Sequence, residues 1–286
     1  METTTATKKR QMPWEIMGYQ VNPFDRRPDE RFMFDFAQHK AARADLEYTV
    51  HTQGFSVFTG DIGSGKTTVL RALLDKLDLS EIKPCFIRVR SPHITSHSLH
   101  QDMVERLGEE PPKWGRHKVE NQLERVLRRL YEEGRLPLLI IDEAQGLRKE
   151  ALETVRLLSD YAVQFRGIIS IILVGQPELR YRLLSAQYRN LAQRVTVFSE
   201  LNGLVPSETD KYVRYRLTQA GGNPSLFSAP AIELIHRKTD GTPRTINRLC
   251  EDCIAYGAML GEKQITKDFA EAVAAKNPLF ASKTRV

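Results

Sequence analysis

Two periodicities alternate along this chain. Short apolar runs occupy residues 55–59, 84–90, 136–141, 167–174 and 195–200, and each has the length of a strand. LPLLII and GIISIILV are apolar without alternation, as expected of strands covered on both faces. Between them, apolar positions recur at three- and four-residue spacing over 34–53, 67–77, 98–107, 119–133, 151–160 and 178–185. Strands alternating with helices predict an α/β domain, a parallel sheet sandwiched by helices. After residue 204 the period stays helical. SETDKYVRYRLTQAG, SAPAIELIHRKTDG, PRTINRLCEDCIAYGAMLG and TKDFAEAVAAK are amphipathic, several with Ser, Thr or Pro at the start and Gly at the end. The pattern predicts a disordered N-terminal arm over 1–16, the α/β domain over 17–203, a C-terminal helical domain over 204–276 and a tail over 277–286.

Composition narrows the class. With 41% hydrophobic and 27% charged residues, the chain is of the ordinary globular kind. It has no apolar run of about 18 residues, so no membrane span is expected, and METTTATKKRQMPW lacks the apolar core of a secretory signal. Three cysteines are too few for a disulfide framework, which points to a cytoplasmic protein. Cys250 and Cys253 share one face of a helical pattern with no second ligand pair in the sequence, so they read as core. A net charge of +6 suits a polyanionic partner without requiring one.

The candidate chemistry begins at GDIGSGKTT. Gly60, Gly65, Lys66 and Thr67 fit G-x-x-x-x-G-K-[ST], between a predicted strand and a predicted helix. Glycines let successive amides of Gly60, Asp61, Ile62, Gly63, Ser64, Gly65, Lys66, Thr67 and Thr68 turn toward phosphate oxygens, and the helix start adds its positive end. Lys66 is expected on the β- and γ-phosphates of ATP, and the Thr67 hydroxyl on Mg²⁺. LLIIDE supplies the acidic partner: Asp142 for Mg²⁺ and Glu143 to polarise the attacking water. Gln176, ending the 167–174 run, is either a γ-phosphate contact or a surface amide. Arg244 lies in the first turn of a helix, where a cation opposes the helix dipole; it is either a phosphate contact or a solvated arginine.

Taken together, NPFDRRPDERFMF, GFSVFTGDIGSGKTTVLRALL, LLIIDEAQGL, LETVRLLSD, IILVGQPELRYRL, LAQRV, YVRYRLTQAG and GTPRTINRLC resemble the ExeA-type AAA+ ATPases over about 17–273. The resemblance implies a P-loop NTPase domain with a helical lid, and ATP hydrolysis at the interfaces of a homo-oligomeric ring or filament. It gives Gln176 the place of the first sensor and Arg244 that of the second. It puts Asn22, Pro23 and Phe24 near the adenine, and makes Arg194, or in reserve Arg189, the arginine reaching a neighbouring copy's site.

Purpose is less constrained than chemistry. ExeA itself continues past its ATPase unit into a membrane helix and a cell-wall-binding region, whereas this sequence ends ten residues after Lys276. That weighs toward the short regulators of DNA transposition of the TnsC and phage Mu B kind, which assemble on duplex DNA and recruit or stimulate a transposase. The alternative is a cytoplasmic ExeA-like ATPase assisting assembly of a secretion or other protein complex. FIRVRSPHITSH, with Arg88, Arg90 and His93, is a cationic, hydroxyl-rich stretch suited to DNA phosphates. Lys113, Arg116, Lys118, Arg125, Arg128 and Arg129 gather around Trp114. They read as a solvated helix face with a tryptophan anchoring its loop.

Overall fold

The computed structural model describes residues 11–25, 30–32, 34–90, 94–164 and 168–281. Contacts divide the chain into two units, residues 37–202 and residues 1–36 with 203–286.

The first unit alternates as the sequence predicts: α2 (Ala37–His51), β1 (Phe55–Gly60), α3 (Lys66–Leu74), β2 (Ile82–Arg88), α4 (Ser96–Arg106), α5 (Arg116–Glu132), β3 (Leu136–Asp142), α6 (Lys149–Gln164), β4 (Ser170–Gly175), α7 (Pro177–Leu184), α8 (Arg189–Ala192) and β5 (Val197–Leu201). A helical turn, α1 (Pro13–Ile16), precedes them in the chain. The five strands are parallel, in the order β2-β3-β4-β1-β5. Successive side chains of a strand point to opposite faces, and both faces are used. Leu139 and Ile141 join Leu99, Leu123 and Leu127 of α4 and α5 in one core. Leu138 and Ile140 join Leu46 of α2 and Leu70 and Leu73 of α3 in another. This is why β1 and β4 are buried at every position.

The second unit is helical: α9 (Pro206–Gln219), α10 (Ala229–Thr239), α11 (Pro243–Leu260), α12 (Lys267–Lys276) and α13 (Pro278–Ala281). Cys250 and Cys253 are buried in its core, where burial pushes both thiols up. Three boundaries differ from the sequence reading. Residues 17–25, 30–32 and 34–36, predicted with the α/β domain, pack with the helices beyond 203: Tyr19, Phe24, Phe32 and Phe36 are buried in the same core as Val213 and Ile246. Of the predicted disordered arm, Pro13–Ile16 is helical, capped where the Met12 amide donates to Glu15 at 2.8 Å, and residues 1–10 lie outside the described residues. Of the tail, Pro278–Ala281 is helical and Phe280 is buried. In each case a few aromatic side chains find a distant partner that no local pattern announces.

Candidate nucleotide site

The parallel register sets the site. Arg88 stands opposite Asp142 across β2 and β3, and Thr59 opposite Gly175 across β1 and β4, so these four strands end at one edge of the sheet. That edge, at the strands' carboxyl ends, is where open α/β sheets hold ligands.

The loop after β1 is held open. Gly63 and Gly65 have φ of 88° and 108°, in the region that favours glycine. A Cβ on Gly65 would also stand 2.7 Å from the His39 ring, and His39 Nε2 lies 3.1 Å from the Ser64 carbonyl. Helix α2 thus braces the loop from behind through His39, a residue the sequence reading did not single out. The amides of Gly63, Gly65 and Thr67 make no hydrogen bond with a described residue, as the first turn of a helix requires. The buried Ser64 Oγ is likewise unpartnered among the described residues. Lys66 Nζ donates to the carbonyls of Gly60 at 2.6 Å and Asp61 at 2.9 Å. Converging unpaired amides, one lysine and an adjacent Thr67 hydroxyl fit a triphosphate. No group of three or more potential metal ligands occurs among the described residues. Thr67 and Asp142 fit a Mg²⁺ that takes its remaining oxygens from phosphates and water.

The acidic side of the site is more tightly built than the sequence shows. Burial lifts the Asp142 carboxyl above its ordinary value, while the Glu143 amide, Arg88 and Lys66 pull against that rise. Glu143 has φ 58° and ψ 36°, left-handed for a residue with a side chain, and its amide donates to Asp142 Oδ1 at 3.0 Å. Such a backbone costs on the order of 1–3 kcal/mol and persists where its surroundings fix it. Gln145 does so: its Nε2 donates to Glu143 Oε2 at 2.7 Å, and its Oε1 accepts the Gln176 amide at 3.2 Å. One side-chain amide therefore ties the end of β3 to the start of α7. Hydrogen bonds from the Gln145 and Gln176 side chains hold Glu143 below its usual value, so it is ionised at neutral pH.

That geometry carries a pH prediction. Removing the donor in Gln145→Ala lets the Glu143 carboxyl rise toward its ordinary range, so less Glu143 is ionised at a given acidic pH. The acid limb of the turnover profile is expected to move to higher pH, with the plateau at pH 8 reduced much less. A pH–rate profile of both proteins checks it, and superimposable limbs would refute it.

Several predicted residues stand elsewhere. Arg88, read as a DNA contact, turns its guanidinium onto the acidic pair, 3.5 Å from Asp142 and 3.7 Å from Glu143. Two carboxylates at its strand end attract it more strongly than solvent does. Arg90 is exposed and makes no ion pair with a described residue. His93 lies outside the described residues. Phe24 is fully buried in the helical core, and Asn22 spends its side chain on Glu251 and on the Phe24 amide. Pro23 is buried too, so neither ring has a face to offer a purine. Arg194 pairs with Asp160 at 2.7 Å, whereas Arg189, at the start of α8, is exposed and its side chain makes no ion pair or hydrogen bond with a described residue. Arg244, in the first turn of α11, is also exposed, and its side chain makes no ion pair or hydrogen bond with a described residue. Trp114 anchors nothing, being 84% exposed.

The site's residues fall in a recognised region: the family model described as an AAA domain matches residues 49–183. General secretion pathway protein A of Aeromonas hydrophila is 32% identical over 254 residues, 88% of this chain and 46% of the relative. This chain thus spans about half the length of that relative. Among solved structures, Cdc6p of Pyrobaculum aerophilum superposes with a TM-score of 0.59 at 16% identity, covering 87% of this chain and 71% of that one. The ORC1 protein of Aeropyrum pernix, solved in complex with DNA, gives 0.61 at 15% identity, covering 86% and 67%. Identities this low speak to the fold, which is that of AAA+ P-loop NTPases with a helical C-terminal region.

Proposed function

We propose that the chain, which resembles the ExeA-type AAA ATPases, hydrolyses ATP with Mg²⁺ in an assembly of identical copies. The observation that carries this reading is the pairing of loop amides around Lys66, unpartnered among the described residues, with an ionised, clamped Glu143 at the end of β3, on the far side of β4. On binding, Lys66 exchanges the Gly60 and Asp61 carbonyls for phosphate oxygens, and the freed amides of Gly63, Gly65 and Thr67 take the rest. Thr67 and Asp142 would hold Mg²⁺, which would supply charge neutralisation on the phosphates. Glu143 accepts the hydrogen bond of the attacking water, and Gln176 orients toward the same phosphate.

Between the two candidate trans arginines, the structure favours Arg189. A residue that must enter a neighbour's site needs a free head group, and Arg194 already has Asp160. Removing Arg189 is expected to lower turnover without lowering nucleotide affinity.

As to purpose, a relative named for the general secretion pathway favours the secretion reading. The exposed Arg90 and the +6 charge favour the second reading, an ATP-dependent filament on duplex DNA that regulates a transposase. No helix among the described residues is long and apolar enough to cross a membrane. One sedimentation experiment tests both readings, using a non-hydrolysable ATP analogue, ADP or no nucleotide, with and without duplex DNA at two salt concentrations. Wild type is expected to assemble with the analogue alone, and Lys66→Ala to stay monomeric. Monomers throughout would overturn the assembly proposal. DNA binding that ignores nucleotide would remove the transposition reading, and binding that falls steeply with salt would support it.

A further inference from the structure

Helix α5 buries Val119, Leu123, Val126, Leu127 and Leu130 against the sheet, and its opposite face is solvated. On that face Lys118, Asn121, Arg125 and Arg128 stand at i, i+3, i+7 and i+10, one line about 15 Å long. With Pro112 and Glu124 they border an open groove of ≈ 630 Å³. The neighbouring acids are already committed. Glu124 receives Arg128 at 2.7 Å, Glu120 receives Arg116 at 2.9 Å, and Glu109 receives Arg129 at 2.6 Å. Lys113, Lys118 and Arg125 make no ion pair with a described residue, and all three are exposed. Beside them, at the turn into α5, Gly115 has φ 98° and Trp114 is 84% exposed.

An exposed indole beside a row of cations suits a ligand that is both flat and anionic. A duplex offers phosphates but keeps its bases stacked inside, whereas an unpaired strand offers both phosphates and base faces. An acidic peptide would satisfy the cations and leave the ring without a planar partner.

We infer that this face binds a single-stranded nucleic acid, with phosphates on Lys118 and Arg125 and one base stacked on Trp114. None of these residues belongs to the nucleotide site, so the inference stands whether or not ATP is hydrolysed.

The test is anisotropy of fluorescein-labelled oligothymidylate and oligouridylate, each of about 15 nucleotides, a length within the range of site sizes for single-strand binders. Both are measured at several salt concentrations on the whole chain. Trp114→Ala is expected to weaken binding roughly 5- to 100-fold, the range for losing one stacked base, and Trp114→Phe to recover most of it. Lys118→Ala with Arg125→Ala should flatten the slope of log affinity against log salt by about 1.4, two contacts at about 0.7 each. The relative strength of the two oligomers distinguishes DNA from RNA as the natural strand. Absence of binding at low salt, indifference to all three substitutions, or stronger competition by an equal-length duplex or by polyglutamate would overturn the assignment.

Discussion

Glu143→Gln is expected to cut ATP turnover by about 10² to 10⁴, the range for losing a positioned base, while nucleotide affinity stays close to that of wild type. The substitution is nearly isosteric, and the loop amides, Lys66 and Thr67 are untouched. Gln145 can still donate to the new side-chain oxygen, as it does to Glu143 Oε2 at 2.7 Å. What disappears is the carboxylate charge that the Gln145 and Gln176 hydrogen bonds stabilise. Binding survives and cleavage stops, so the assembly should persist in ATP long after the wild-type assembly has dispersed. Phosphate release, read beside nucleotide titration and sedimentation, measures all three. Wild-type turnover in this variant would remove Glu143 from the reaction and the clamp from its role.

Arg216→Ala is expected to destabilise the helical unit by ~3 kcal/mol. Arg216 is only 6% exposed, and its guanidinium donates to the Pro23 carbonyl at 2.6 Å and the Asp25 carbonyl at 3.1 Å. It also lies 4.5 Å from the Phe32 ring centroid and within 6 Å of Phe24 and Tyr212, the Phe24 and Tyr212 rings at 5.8 and 5.7 Å. Removing it strands two carbonyls inside the protein at roughly 1–3 kcal/mol each, with partial relief from water. The cost should be read as a lower midpoint in urea, with an early transition reported by Trp14, which packs on the same core. A variant with an unchanged midpoint would mean that these carbonyls find other donors.

The sequence was most informative where chemistry depends on neighbours in the chain. The phosphate loop spans a few residues with a strand before it and a helix after, and the acids sit at the end of an uninterrupted apolar run. Both can be read without any knowledge of tertiary contacts. The sheet order could not be, and neither could the brace from His39, which arrives from a helix 25 residues upstream of Ser64. Gln145 was visible in LLIIDEAQGL, yet only its hydrogen bonds to Glu143 and to the Gln176 amide reveal a function. Arg88 misled for the opposite reason: a cation in a basic stretch looks available until the carboxylates across the sheet are known. The N-terminal aromatics misled in the same way, because their partners follow residue 203.

Those aromatics have a consequence for biosynthesis. Tyr19, Phe24, Phe32 and Phe36 belong to a core whose remaining buried members all follow residue 203, so for most of translation they have nothing to bury against. The α/β unit, contiguous over 37–202, can complete itself while they wait as sticky ends outside the ribosome. Only when α9 emerges does Arg216 arrive to gather the early segment. Maturation of the helical unit thus follows that of the α/β unit, and the early aromatic stretch is where a chaperone would take hold.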